Sequence, residues 1–153
     1  MHIYLVTHER EFSRRSNTGK LVQQFLPKET SIVPWRRKEP DTKLLTAIKS
    51  GRVAILAPDA DEEHDISEFD SLVLLDSTWQ EARKMYRQSD YLQDLPKVTL
   101  SAAQASEFIL RANQLEGGLS TVECVIELLR LQQRDQEADQ LVVEFRSFIR
   151  ACL

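Results

Sequence analysis

Apolar positions recur along this chain in two rhythms, one of short continuous runs and one of three-to-four-residue spacing. HIYLVTH (2–8) is a short run rich in β-formers and predicts a strand. NTGKLVQQFL places Leu21 and Phe25 at helical spacing, with Asn17 positioned as an N-cap. TSIVPW predicts a second strand, and DTKLLTAIKS a helix capped by Asp41 and ended by Gly51. RVAILAP is a third strand closed by Pro58. SLVLLD (71–76) is continuous rather than alternating, as expected of a strand buried on both faces of a parallel sheet. STWQEARKMYRQS predicts a helix starting at Ser77 or Thr78, and KVTLS a further strand. The stretch 101–116 shows no clear period. GGLSTVECVIELLRLQQ opens on a glycine pair, and Ser120 with Glu123 makes a capping box. A last amphipathic helix covers about 138–151, carried by Leu141, Val142, Phe145, Phe148 and Ile149. EREFSRRS (9–16) reads as a polar loop, and DADEEHDISEFD (59–70) as a solvated acidic one.

Strands alternating with helices predict an α/β fold, a mostly parallel sheet with helices on both faces. Such sheets bind ligands beyond the carboxyl ends of their strands. That rule marks Thr7 and His8, then Ala57–Asp59, then Asp76–Trp79, and the turn before Ser120.

Composition narrows the class. The 153 residues are 42% apolar and 29% charged, which predicts one soluble globular domain spanning 1–153. No window approaches the roughly 20 apolar residues of a membrane span. The N-terminal apolar run is too short for a signal peptide and follows no basic residue, so cytoplasm is the expected location and no membrane partner is expected. Two cysteines exclude a disulfide framework, and three histidines without ligand spacing give no metal site. The net charge of −4 argues against nucleic acid, but its distribution does not. Residues 1–58 carry 11 Lys/Arg against 5 Asp/Glu, whereas 59–70 carry 7 acids and no Lys/Arg. Phosphate binding depends on local potential, so a basic surface in the first third is compatible with the total.

Several residues have both a plain and a chemical reading. Asp76 ends the buried strand and either caps the following helix or serves as a base or anchor in a cleft. Trp79 is either core or a pocket wall. Asn17-Thr18-Gly19-Lys20 is either a helix cap or an anion site. It is not a P-loop, since Arg14 stands where that motif needs Gly and Leu21 where it needs Ser or Thr. Gly117–Thr121 is either a turn or a nest. Arg83, Lys84 and Arg87 are either a solvated helix face or phosphate contacts. Cys124 reads as a small core residue.

Together these motifs resemble one family. LVLLDSTWQEARKMYRQSDYLQDLPKVTL is similar to the signature of the DTW-domain family, through Asp76, Thr78 and Trp79. SNTGKL (16–21) resembles its TNTG-type motif, preceded by a His-x-x-Glu element at His8 and Glu11. Ala57-Pro58-Asp59 resembles its Tyr-Pro-Ser-type loop, Leu95-Pro96 fits, and Arg111 followed by LSTVEC (119–124) fits its Arg…LSTxEA element. The resemblance implies a fold related to the knotted SPOUT class, with the knot near the C-terminal half. It implies transfer of a 3-amino-3-carboxypropyl group from S-adenosylmethionine to N3 of a uridine in tRNA, without a metal. It further implies Asp76 as the proton acceptor, and S-adenosylmethionine held by Ala57, Pro58, Asp59, Leu75, Ser77, Thr78, Trp79, Arg111, Leu119, Ser120 and Thr121. tRNA would be met by Arg14, Arg15, Asn17, Thr18, Lys20, Arg83, Lys84 and Arg87. Three features depart from the family: Ser77 stands for the usual Gly, Arg111-Ala112-Asn113 reduces an Arg-Lys-Pro-like stretch, and a Cys-rich segment seen in many members is missing. The alternatives are an S-adenosylmethionine-dependent RNA methyltransferase and a non-catalytic RNA-binding module. Monomer and homodimer are both open.

Overall fold

A computed structural model describes residues 1–57, 64–100 and 120–152, with the Trp79 side chain excepted. Among these residues five strands form one sheet: β1 (His2–Thr7), β2 (Thr30–Pro34), β3 (Val53–Leu56), β4 (Ser71–Asp76) and β5 (Lys97–Val98). Their order is β2-β1-β4-β3-β5, and every pairing is parallel. Six helices accompany them among the described residues: α1 (Gly19–Phe25), α2 (Thr42–Lys49), α3 (Trp79–Arg87), α4 (Asp90–Gln93), α5 (Thr121–Leu131) and α6 (Asp135–Cys152).

Strand periodicity sorts the core into two layers. Ile3, Leu5, Leu72, Leu74 and Ala54 face one side, where they pack with Val22 of α1, Val125 and Leu129 of α5, and Leu141 and Phe145 of α6. Val6, Val73, Val53 and Ile55 face the other, against Leu44 of α2, Met85 of α3 and Leu92 of α4. β4 sits centrally and shows why its sequence is uninterrupted: Leu72, Val73 and Leu74 are all buried, but alternately on the two faces.

The expected α/β class is therefore observed, with helices on both faces. Three local expectations change. The polar segment after β1 is not a solvated loop but a 3-10 turn over Glu9–Ser13 that buries Glu11 completely. KVTLS contributes only Lys97 and Val98 to the sheet, because β5 is an edge strand whose register with β3 covers two residue pairs. The one-turn α4 was not anticipated, since four residues give no period to detect. The uncertain stretch 101–116 and most of the acidic run lie outside the described residues.

The connections position the site. From β1 the chain leaves through α1 on one face toward β2; from β4 it leaves through α3 on the other face toward β5. Adjacent strands whose exits diverge leave a crevice between their carboxyl ends. In this sheet the exits diverge between Thr7 and Asp76, which are direct register partners.

Candidate active site at the ends of β1 and β4

Asp76 is only 1% exposed, and donors from three segments converge on it. Asn17 Nδ2 donates to Oδ2 at 2.8 Å, the Thr7 hydroxyl lies 3.3 Å from the same oxygen, and the Thr121 hydroxyl donates to Oδ1 at 2.9 Å. An ionised carboxylate has acceptor sites for all of them. Thr7 Oγ1 also lies 3.0 Å from the Leu5 carbonyl, so its single hydrogen has two acceptors to choose between. Gly19 makes this packing possible: a Cβ there would stand 2.3 Å from Asp76 Oδ2. That is the physical need for glycine in the NTG sequence.

The local sequence builds each arm. Asn17 accepts the Lys20 N–H through Oδ1 at 3.0 Å, starting α1, while its Nδ2 also donates to Glu11 Oε1 at 3.0 Å. Thr18, buried at the same helix start, accepts the Val122 N–H at 3.3 Å and ties α1 to α5. Ser120 caps α5 with Glu123, and Thr78 caps α3 with Glu81, both as full capping boxes. Asp76 is therefore not the cap of α3; Thr78 is. The backbone carbonyl of Asp76 accepts the His8 N–H at 3.2 Å, closing the strand ends together.

Behind Asp76 lies an ionic network. Arg14 pairs with buried Glu11 and reaches Glu81 with both terminal guanidinium nitrogens, at 3.1 and 3.3 Å. Burial works against the charge of Arg14, but its hydrogen bonds to Glu81 and the nearby Glu11 outweigh it and raise its pKa. Burial likewise acts to raise the Glu81 pKa. The Thr78 N–H, Arg14 and the Thr78 hydroxyl outweigh it and hold Glu81 below the ordinary carboxylate value. Glu81 escaped the sequence reading although Thr78-x-x-Glu81 is a visible capping box. Glu11 was noted as a family element, but its burial as a charged residue had no local signal.

Asp76, Asn17, Thr18, Ser120 and Thr121 are thus brought together, with Thr7 and Gly19 added. Leu75, Ser77 and Thr78 are half-buried on the same rim, and Ala57 is half-buried at the end of β3. Ser77 donates to the Thr78 carbonyl at 3.1 Å. Lys20 turns its ammonium onto the Phe12 and Arg14 carbonyls at 3.0 and 3.5 Å. Arg15 is exposed, as are Arg83, Lys84 and Arg87 along α3. Cys124 packs beside the core, where burial pushes its thiol up to about 12. Pro58, Asp59, Arg111, Leu119 and the Trp79 side chain lie outside the described residues. Among the described residues, no His/Cys/Asp/Glu group is arranged to hold a metal ion, and no helix is long and apolar enough to cross a membrane.

Comparison with known proteins points in one direction. A family model described as the DTW domain matches residues 1–153. Three relatives carry the name tRNA-uridine aminocarboxypropyltransferase 2. The mouse protein is 26% identical over 145 residues, covering 88% of this chain and 48% of its own length. The macaque protein is 24% identical with the same coverage. The Drosophila melanogaster protein is 28% identical over 151 residues, covering 92% of this chain and 60% of its own length. The chain thus spans about half the length of the curated relatives it matches. No solved structure matches it significantly.

Proposed function

The chain belongs to the DTW domain family, and from that premise we propose that it transfers a 3-amino-3-carboxypropyl group from S-adenosylmethionine to N3 of a uridine in tRNA. The observation that carries this reading is the buried, donor-lined Asp76 at the divergence of β1 and β4, built from the same motifs that define the family resemblance. The SPOUT-related, knotted topology is part of the proposal and rests on the family resemblance. The substrate and the reaction rest on the names of relatives of low identity.

The rim suits the proposed donor molecule. Leu75 and Ala57 offer half-buried apolar surface, and Ser77, Thr78 and Thr121 offer hydroxyls and backbone groups beside it. When bound, S-adenosylmethionine supplies an electrophilic carbon next to its sulfonium, with methylthioadenosine as leaving group. The chain must then remove the N3 proton of the uridine. Asp76 is buried, so the proton reaches it through the half-buried Thr121 hydroxyl, which takes the N3 proton while passing its own to Oδ1.

The test is the product formed from S-adenosylmethionine and tRNA. Methylthioadenosine together with an aminocarboxypropyl-uridine supports the proposal. Adenosylhomocysteine would instead make the protein a methyltransferase, and tRNA binding without either product would make it a binding module.

A further inference from the structure

The mechanism leaves unused the longest uninterrupted run of cations in the sequence, Arg36-Arg37-Lys38. All three are exposed, in the loop between β2 and α2. The loop is anchored at both ends. Before it, the Trp35 N–H donates to the Thr7 carbonyl at 2.8 Å and its indole donates to Ser89 Oγ at 2.8 Å. Its ring stacks on the His8 imidazole with centroids 6.1 Å apart and planes 18° from parallel. After it, Asp41 caps α2 by accepting the Leu44 N–H at 2.9 Å.

Register fixes where this loop stands. Pro34 pairs with Thr7, and Thr7 pairs with Asp76. Two strand spacings put the start of the loop about 10 Å from Asp76, on the same carboxyl rim. The charges there are available. Arg37 and Lys38 have no ion-pair or hydrogen-bond partner among the described residues. Among the described residues Arg36 meets only Glu39, at 3.9 Å with both side chains largely exposed, a pair of little energetic weight. Arg14, by contrast, is engaged in the ionic network with Glu11 and Glu81, and the exposed Lys20 donates to backbone carbonyls.

We propose that Arg36, Arg37 and Lys38 form the phosphate-binding rim that receives the RNA backbone beside the reacting uridine. The proposal rests on the tRNA-modifying reading above and adds a phosphate-binding surface to the contacts that reading names. A chain of net charge −4 needs a local cationic feature to meet a polyanion. Guanidinium forks match phosphate oxygens, and such contacts position the nucleic acid without reading its bases.

The experiment measures tRNA affinity over a salt series, with KM and kcat, for wild type, for R36Q/R37Q/K38Q and for K28Q/K49Q/R52Q. The last removes three exposed cations at the opposite, amino end of the sheet. Thermal unfolding confirms that both variants fold. The rim variant should lose about two to three units of salt slope, given roughly 0.7 to 0.9 per phosphate contact. Its KM for tRNA should rise at least tenfold, with kcat at saturating tRNA within twofold, and the control should stay near wild type. Equal losses in both variants, or an unchanged slope in the rim variant, overturn the rim while leaving the function standing. A wild type with no tRNA affinity at low salt overturns both.

Discussion

Asp76 draws its partners from positions 7, 17 and 121, and no neighbour in sequence supplies one of the three. Its side chain is held in one orientation, and this makes substitution informative. Asp76→Asn keeps the shape but cannot take a proton, and it sets an amide N–H against donors. Turnover should fall by about 10²-fold or more, with S-adenosylmethionine affinity within a few-fold by calorimetry. Unchanged turnover would remove Asp76 from proton transfer. Gly19→Ala makes a different demand. Its methyl meets Asp76 Oδ2, which cannot swing away without losing Asn17 and Thr7. Denaturant unfolding should show a loss of about 1–3 kcal/mol, typical of overpacking, and activity should fall with it. A fully stable, fully active variant would show that the approach is looser than the geometry states.

Helix ends carry the element scale. Glu81 completes the α3 cap and also receives Arg14, joining the turn after β1 to the helix after β4. Its pKa is depressed on folding from the ordinary 4.5. A depressed carboxylate contributes stability that is present above its unfolded value and is lost as pH falls through the folded one. Glu81→Gln should therefore be less stable than wild type at neutral pH, with the gap narrowing below about pH 4.5. Stability curves that stay parallel from neutral to acid would contradict this. Between α5 and α6, Gln133 takes φ of 60°. The Gln133 N–H bonds the Arg130 carbonyl at 3.0 Å, and the Arg134 N–H bonds the Leu129 carbonyl at 2.8 Å, a Schellman ending. Left-handed backbone penalises a Cβ, so Gln133→Gly should stabilise by about 0.5–1 kcal/mol, read as a raised Tm. A lowered Tm would mean that the glutamine side chain contributes more than the backbone strain costs.

At the scale of the whole molecule, the described acids of the 59–70 run sit at the amino end of the sheet. Residues 64–70, the described part of the acidic run, lead into the amino end of β4, where Asp70 pairs with Arg52 at 2.9 Å. They therefore lie away from the carboxyl rim. Arg14 and Arg15, adjacent in sequence, have separate fates: Arg14 is built into the ionic network, while Arg15 is exposed. Neutralising them separately should separate two effects. Arg15→Gln should lower the salt slope of tRNA binding by up to about one unit, with turnover at saturation near wild type. Arg14→Gln should lower turnover and stability, by leaving Glu11 buried without its cation, and should change the slope little. The reverse pattern would place Arg14, not Arg15, on the nucleic acid.

The α/β class, the buried character of β4, the caps by Asp41 and Ser120 and the strand ends that frame the crevice were all legible in the chain, because each is written in local spacing. Asp76 stood out for the same reason: a carboxylate closing an apolar run. The partners of Asp76 were not legible as partners, since a hydrogen bond between positions 17 and 76 leaves no periodic trace. Glu11 looked like one acid in a polar loop, and only the packed fold shows it buried between Arg14 and Asn17. The run at 36–38 was present in the sequence, but its meaning depends on the register that sets Pro34 beside Thr7 and Thr7 beside Asp76. Sequence determined the longer elements and several of their ends through short-range periodicity and capping. Tertiary structure decided which charges are consumed inside the fold and which face outward, because long-range pairing and burial assign those roles.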